Sequence, residues 1–293
     1  MFDVVIVSFR CNDSLMRCLD ALFTHEIDNI SSVTVVENGG IPLPDTLKER
    51  FPAISWVENR ENVGFAAGCN AGIVHGNAPF IALLNPDTEI IAPFFHHAAR
   101  YFRGHDNVAV IGPRIIDEDG RLQGSARAFP SILTTFFGRS SMLSRIFPNN
   151  PWTRANILNF DIAREEPFTP DWVSGACMLV RRSAVKDTGL MDEKSFMYWE
   201  DCDWCRRFRE RGWEIVYHPG LGPVMHVCGV SSSKVMFRTA CYFHKSAVRL
   251  YWKYDTSPLK SMSLVVCAGA SLRFALMCVV MSCRYVAKLL RSF

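Results

Sequence analysis

The eleven cysteines of this 293-residue chain show no paired, repeating spacing, and an odd number cannot all be joined within one chain. That argues against a disulfide-stapled secreted scaffold, and reduced thiols in a cytosolic protein are expected. Met1-Phe2-Asp3 runs straight into a β-branched stretch, without the basic segment and apolar run of a secretory leader. Cys202 and Cys205 have CxxC spacing, and His226 and Cys228 follow, but a second cysteine pair is missing, so structural zinc is a weak reading. Glycine is absent from the first strand-to-helix turn, Phe9-Arg10-Cys11-Asn12-Asp13, where a dinucleotide fold needs it, and no GxxxxGK[ST] loop occurs anywhere. A dehydrogenase, a P-loop ATPase and a kinase all lose ground. Acids are nearly missing from residues 231–293, where ten Lys or Arg face only Asp255; that segment carries +9 and leaves −6 for residues 1–230 of the overall +3. The C-terminal fifth is a separate electrostatic object.

What is present can bury a large core, since 49% of the residues are apolar. Short β-branched runs at Asp3 to Ser8, Ser32 to Val36, Ile54 to Val57, Phe80 to Leu84 and Val108 to Ile111 alternate with helical patterns. Asn12 or Asp13 is placed to cap the first helix, whose apolar positions are Leu15, Cys18, Leu19 and Leu22. Such alternation predicts an α/β fold with a mostly parallel sheet and helices on its faces. Ligands in these folds lie beyond the carboxyl ends of the strands. Glu37-Asn38 and Asn85-Pro86-Asp87 fall at two of those ends. The second loop sets an amide and a carboxylate two apart, oxygens that suit a divalent cation holding a diphosphate; a plain Asx-Pro turn starting a helix near Pro93 is the competing reading.

Asn62-Val63-Gly64-Phe65 opens a glycine- and alanine-rich helix, read equally as tight helix-to-sheet packing or as a helix laid against a nucleotide. Asp117-Glu118-Asp119-Gly120 reads as a solvated hairpin turn between 114–116 and 121–123, and residues 131–168 remain illegible. Asp171 to Val180 reads as one buried strand entered through the small residues Ser174-Gly175-Ala176. Next comes the acidic cluster Glu200-Asp201-Cys202-Asp203, preceded by Phe196, Tyr198 and Trp199. Three carboxylates at a helix start can be a charged N-terminus and nothing more. An aromatic wall that excludes water would instead raise one of them toward the pKa of a working base.

Val35-Val36-Glu37-Asn38, Asn62-Val63-Gly64-Phe65-Ala66, Leu84-Asn85-Pro86-Asp87, Gly112-Pro113-Arg114, Ser174-Gly175-Ala176, Trp199-Glu200-Asp201-Cys202-Asp203 and His226, in that order, resemble the family 2 glycosyltransferases of GT-A fold, nearest their rhamnosyltransferase-like branch. The resemblance implies an inverting transfer of a sugar, rhamnose among the candidates, from a nucleotide-diphosphate sugar to a hydroxyl of a glycan or polyprenyl-diphosphate-linked acceptor in cell-surface polysaccharide synthesis. It implies Asp201 as the catalytic base with Glu200 its rival, and Asp87 with His226 on Mn²⁺ or Mg²⁺. Ser8, Glu37, Asn38, Asn62, Gly64, Phe65, Asn85 and Asp87 would face the donor, and Trp172, Gly175 and Trp199 the acceptor. Glu37 departs from the Asp that the family carries before Asn, which leaves base preference open. A glucosyl, mannosyl or galactofuranosyl transferase, or a nucleotide-sugar-binding module without turnover, stays open as an alternative.

Residues 1–230 are expected to form the catalytic domain, with a donor half to about 112 and an acceptor half beyond it. Over 231–255, Met236, Ala240, Phe243, Ala247, Leu250 and Tyr254 recur at helical spacing, with Lys234, Arg238, Lys245, Arg249 and Lys253 elsewhere on the wheel. Residues 261–283 are long enough to span a bilayer, yet Arg273 near their middle would cost about 2.5–3.5 kcal/mol there. Lying in the interface avoids that cost. With Arg284, Lys288 and Arg291 close by, an anionic membrane surface is the expected partner and the inner face of the cell membrane the expected place. Nucleic acid is not expected, because the aliphatic stretches suit lipid better than a phosphate backbone.

Overall fold

The computed structural model describes residues 1–131, 151–159, 161, 163–227 and 236–290. The first strand, β1 (Phe2–Ser8), is buried along its whole length, as a β-branched run with no polar alternation requires. It pairs in parallel with β2 (Ile30–Glu37) on one side and β4 (Phe80–Leu84) on the other, and β3 (Ser55–Glu58) extends the sheet beyond β2. The full order is β11-β6-β10-β4-β1-β2-β3, with β6 at Val108–Pro113, β10 at Cys177–Arg181 and β11 at Glu214–His218. β10 alone runs antiparallel, between β4 and β6. The expected mixed, mostly parallel sheet is therefore present.

Successive residues of β1 serve opposite faces, as the two-residue period of a strand dictates. Phe2, Val4 and Ile6 pack with Leu15, Leu19 and Leu22 of the helix Asn12–Glu26 and with the helix Phe95–Gly104. Val5 and Val7 pack instead with Ala66, Cys69 and Ile73 of the helix Phe65–Ile73, and this second core includes Trp204 and Phe208 of the helix Glu200–Glu210. The glycine-rich stretch resolves toward packing, because a Cβ at Gly72 would come within 2.3 Å of Val5. Buried Glu26 accepts hydrogen bonds from the free N–H groups of Phe94 and Phe95, which starts the Phe95–Gly104 helix.

Several local expectations are corrected. The first helix is preceded by Cys11 at its cap, so Asn12 is already helical and no side chain caps it. The loop at Asn85 leads into β5 (Thr88–Ile90) rather than into a helix. Residues 171–180 form two strands: β9 (Trp172–Val173) pairs with β8 (Ala126–Arg127), and β10 joins the main sheet. The small residues 174–176 make the break. The strands β11 and β12 (Val224–His226) are not among those expected from sequence; β12 lies between β5 and β7 (Ile115–Ile116) in a second, small sheet. Cys202 and Cys205 are fully buried free thiols in the core, while Cys228 lies outside the described residues.

The basic amphipathic helix spans Met236–Tyr254, and a second long helix covers Ser261–Leu290. Among the described residues no helix is long and apolar enough to cross a membrane. Lys234 and Arg291 lie outside the described residues, as do the side chains of Arg284 and Lys288 and most of the illegible stretch, 132–150.

Candidate active site

The carboxyl ends of β1, β2 and β4 open onto a cavity of about 440 Å³, lined also by residues 174–176 and by the start of the Glu200–Glu210 helix. Asn38, Asn62, Phe65, Asn85, Asp87 and His226 line it together with Gly175, Tyr198, Glu200 and Asp201. A second cavity, about 380 Å³, lies between Arg10–Ser14, Ile41 and Pro42, with Glu37 in its wall. Most of the residues singled out from sequence thus converge on two adjoining hollows. Ser8, Gly64, Trp172 and Trp199 line neither.

Their places are fixed by identifiable bonds. Asn38 donates through Nδ2 to the Gly64 carbonyl at 2.8 Å and accepts from Asn59 Nδ2 at 2.7 Å, which ties the end of β2 to the glycine turn. Gly64 has a φ of +93°, and a Cβ there would sit 2.6 Å from the Phe196 carbonyl oxygen, so both backbone angle and close approach require glycine. That same carbonyl accepts the Phe65 N–H at 2.7 Å, joining the Phe65–Ile73 helix to the aromatic segment. Buried Glu37 accepts the Gly39 N–H at 2.6 Å through Oε1; burial pushes its carboxyl up, against hydrogen bonds from Ser8 and the backbone of Gly39 and Arg10.

The segment before the acids is strained. Tyr198 and Trp199 both have φ of +69°, a conformation that costs bulky L-residues of order 1–3 kcal/mol each and persists only when the surroundings enforce it. Phe196 stacks on Tyr242, and Trp199 and Tyr198 meet Phe243, so the Met236–Tyr254 helix supplies the enforcement. Ser246 adds a hydrogen bond to the Met197 carbonyl at 2.9 Å. The turn sends Glu200 and Asp201 into the cavity at the first turn of their helix.

The two acids are held differently. Asp201 accepts from the N–H groups of Gly175 at 3.0 Å and Cys202 at 2.8 Å. Burial raises its carboxyl, but those N–H groups and the Arg127 charge pull it back. Glu200 is also buried, and its Oε2 has no hydrogen-bond partner in the structure. Burial, then the charge of Asp201, push Glu200 well above the usual carboxylate range. Of the pair, Asp201 has the partners that favour the charged form. Asp203 points away from the cavity, to Arg207 at 2.9 Å, Lys253 at 2.6 Å and Tyr254 at 2.8 Å.

At the other end, His226 Nε2 lies 3.3 Å from Asp87 Oδ1, both side chains mostly buried. Antiparallel pairing of β12 with β5 sets His226 opposite Thr88, and the Val227 N–H bonds the Asp87 carbonyl at 2.9 Å, so the small sheet fixes the pair. One carboxylate oxygen and one imidazole nitrogen suit Mn²⁺ or Mg²⁺ with the remaining ligands drawn from phosphate oxygens or water. Among the described residues no group of three or more acidic, His or Cys side chains converges to hold a metal alone. Gln123, whose side chain bonds His226, and Tyr198 were not singled out as site residues from sequence; a turn residue and an aromatic carry no periodic signal that marks a site.

A family model described as "Glycosyltransferase like family 2" matches residues 2–241. The chain is 31% identical over 244 residues to the N-acetylglucosaminyl-diphospho-decaprenol L-rhamnosyltransferase of Mycobacterium tuberculosis, covering 76% of this chain and 75% of the relative. It is 23% identical over 218 residues to the low-salt glycan biosynthesis hexosyltransferase Agl10 of Haloferax volcanii, covering 72% and 62%. Among solved structures, GalNAc-T7 with UDP, GalNAc and Mn²⁺ aligns with a TM-score of 0.60 at 14% identity, over 88% of this chain and 48% of that one. The mannosyltransferase PcManGT of Pyrobaculum calidifontis, in complex with GDP-Man and Mn²⁺, aligns at 0.57 and 12% identity, over 100% and 80%. These structural likenesses bear on the fold.

Proposed function

The chain belongs to the family 2 glycosyltransferases, and from that premise we propose that it moves a sugar from a nucleotide-diphosphate donor to a hydroxyl of a polyprenyl-diphosphate-linked glycan, with inversion. The observation that supports this reading is one cavity lined both by the pinned carboxylate of Asp201 and by the Asp87–His226 pair. Rhamnose is the proposed sugar and a lipid-linked N-acetylglucosamine the proposed acceptor, by analogy with the mycobacterial relative.

Asp201 takes the proton of the acceptor hydroxyl as that oxygen attacks the anomeric carbon. Its two N–H partners hold the carboxylate in one orientation and favour the charged form that a base needs. Glu200, neutral beside it, can donate a hydrogen bond to a sugar oxygen. Asp87 and His226 would hold Mn²⁺ or Mg²⁺, which when bound supplies positive charge to the leaving diphosphate. Glu37 and Asn38 meet the nucleoside end. No covalent nucleophile is required.

The C-terminal part serves the acceptor's location. Leu259, Met262, Leu264, Val265 and Leu272 are exposed apolar side chains around the start of the Ser261–Leu290 helix, in a segment whose net charge is +9. An anionic inner-membrane surface would cover that apolar face and attract the charge. Donor specificity is tested by screening nucleotide sugars for Mn²⁺-dependent release of nucleoside diphosphate, with a synthetic polyprenyl-diphosphate N-acetylglucosamine as acceptor. Acceptor-stimulated release from a nucleotide-diphosphate rhamnose donor is expected. Release from none of the panel, or only from another sugar, would overturn the assignment.

A further inference from the structure

The hairpin strand after Gly120 ends against the Asp87–His226 pair, and its Gln123 bonds His226 twice. Gln123 Nε2 donates to the His226 main-chain oxygen at 2.8 Å, and Gln123 Oε1 lies 3.0 Å from His226 Nδ1. These two contacts settle the proton on Nδ1 by donor and acceptor chemistry alone. A carbonyl oxygen can only accept, so the amide nitrogen must face it. The amide oxygen therefore faces the ring, and since it too can only accept, Nδ1 must carry a proton. In the neutral imidazole that leaves the lone pair on Nε2, the atom 3.3 Å from Asp87 Oδ1 and 3.3 Å from Asn85 Nδ2. In water the neutral ring prefers its proton on Nε2, so the protein selects the less common form.

Gln123 is itself well held. Its N–H donates to the Ile115 carbonyl at 2.9 Å, and its own carbonyl accepts from Ser125 N at 2.8 Å and Asn159 Nδ2 at 2.9 Å. The clamp on His226 is thus built on the small sheet and its hairpin rather than on a swinging side chain.

We infer that Gln123 is a positioning residue: it fixes the ring and tautomer of His226 so that Nε2 offers its lone pair beside Asp87 to a cation at the diphosphate end of the cavity. The cation rests on the reading of Asp87 and His226 given under Proposed function; the tautomer does not. Both are accessible in the full-length protein labelled with ¹⁵N-histidine, using long-range ¹H–¹⁵N spectra without metal, at a pH where the ring is neutral, and a His226→Asn variant to identify the signal. The expected His226 signal is that of an Nδ1-protonated ring. An Nε2-protonated ring in the unmodified protein would overturn the inference without any variant. In Gln123→Met the signal should move toward the Nε2-protonated form, and the affinity for Mn²⁺ alone, read by electron paramagnetic resonance, should weaken roughly 10- to 100-fold, the usual effect of losing such an outer partner. An unmoved tautomer in a folded Gln123→Met protein would also overturn it. If the tautomer shifts while Mn²⁺ binding depends on neither Gln123 nor His226, the role toward a cation is overturned and the reading of the metal pair fails with it.

Discussion

Two adjacent carboxyl groups buried in one cavity wall cannot both ionise at ordinary cost, and their partners decide which one does. Asp201 has two backbone N–H donors, whereas Glu200 leaves one oxygen without a partner. Asp201→Asn should therefore keep donor binding and lower the transfer rate at saturating donor about 10²- to 10⁴-fold, the range for a removed general base. Because the amide can present only one oxygen to two N–H groups, a stability loss of about 1–3 kcal/mol should accompany it. Glu200→Gln behaves in the opposite way toward stability. The folded protein holds Glu200 above its ordinary range, so its favourable contribution is present at low pH and is lost as pH rises through the folded value. At pH 7–8 the Gln variant should melt higher than the natural protein, and the gap should close as pH falls below the ordinary glutamate range; a lower melting temperature for Glu200→Gln at pH 7–8 would count against the burial argument. Asp203→Asn should cost stability through Arg207, Lys253 and Tyr254 while leaving the rate of the folded enzyme near normal at saturating donor.

At the scale of elements, the basic helix Met236–Tyr254 does two jobs that its sequence displayed as one. Arg249 and Lys253, two of its cations, bond Asp192, and their pull holds that carboxyl down at about 2 despite burial. Its aromatic face braces the strained residues before Glu200. Periodicity revealed the amphipathic helix but not the surface that it meets, because a stripe pattern names no partner. The same limit applies elsewhere. The buried runs of β1, β2, β4 and β6 and the acids at the strand ends were legible, since local composition marks them. The insertion of β10 antiparallel between β4 and β6, and the pairing of β12 with β5 and β7, depend on contacts distant in sequence. His226 was singled out through the family resemblance, whereas Gln123 reaches it only through such distant contacts and carried no signal. Removing residues 256–293 leaves the bracing helix in the chain. This truncation should free the protein from anionic liposomes in a co-sedimentation assay while donor hydrolysis is largely kept; equal liposome binding would remove the case for a membrane face there.

For the whole molecule, residues 1–230 carry −6 and residues 231–293 carry +9, a division that would suit chemistry in the first and an anionic surface for the second. A donor bearing two phosphates would enter a hollow lined by acids, so tight binding should need a cation. Nucleoside diphosphate affinity should fall sharply in EDTA, and Asp87→Ala should abolish its dependence on Mn²⁺ or Mg²⁺ by calorimetry; a metal dependence unchanged in that variant would reassign the Asn85-Pro86-Asp87 loop. The central claim is that base and leaving group lie on opposite sides of one sugar, so that a single displacement suffices. The anomeric configuration of the newly formed linkage, followed by ¹H NMR from a donor of known anomer, tests it most directly. The account predicts a product inverted relative to the donor from the earliest time point, and a retained configuration would contradict it.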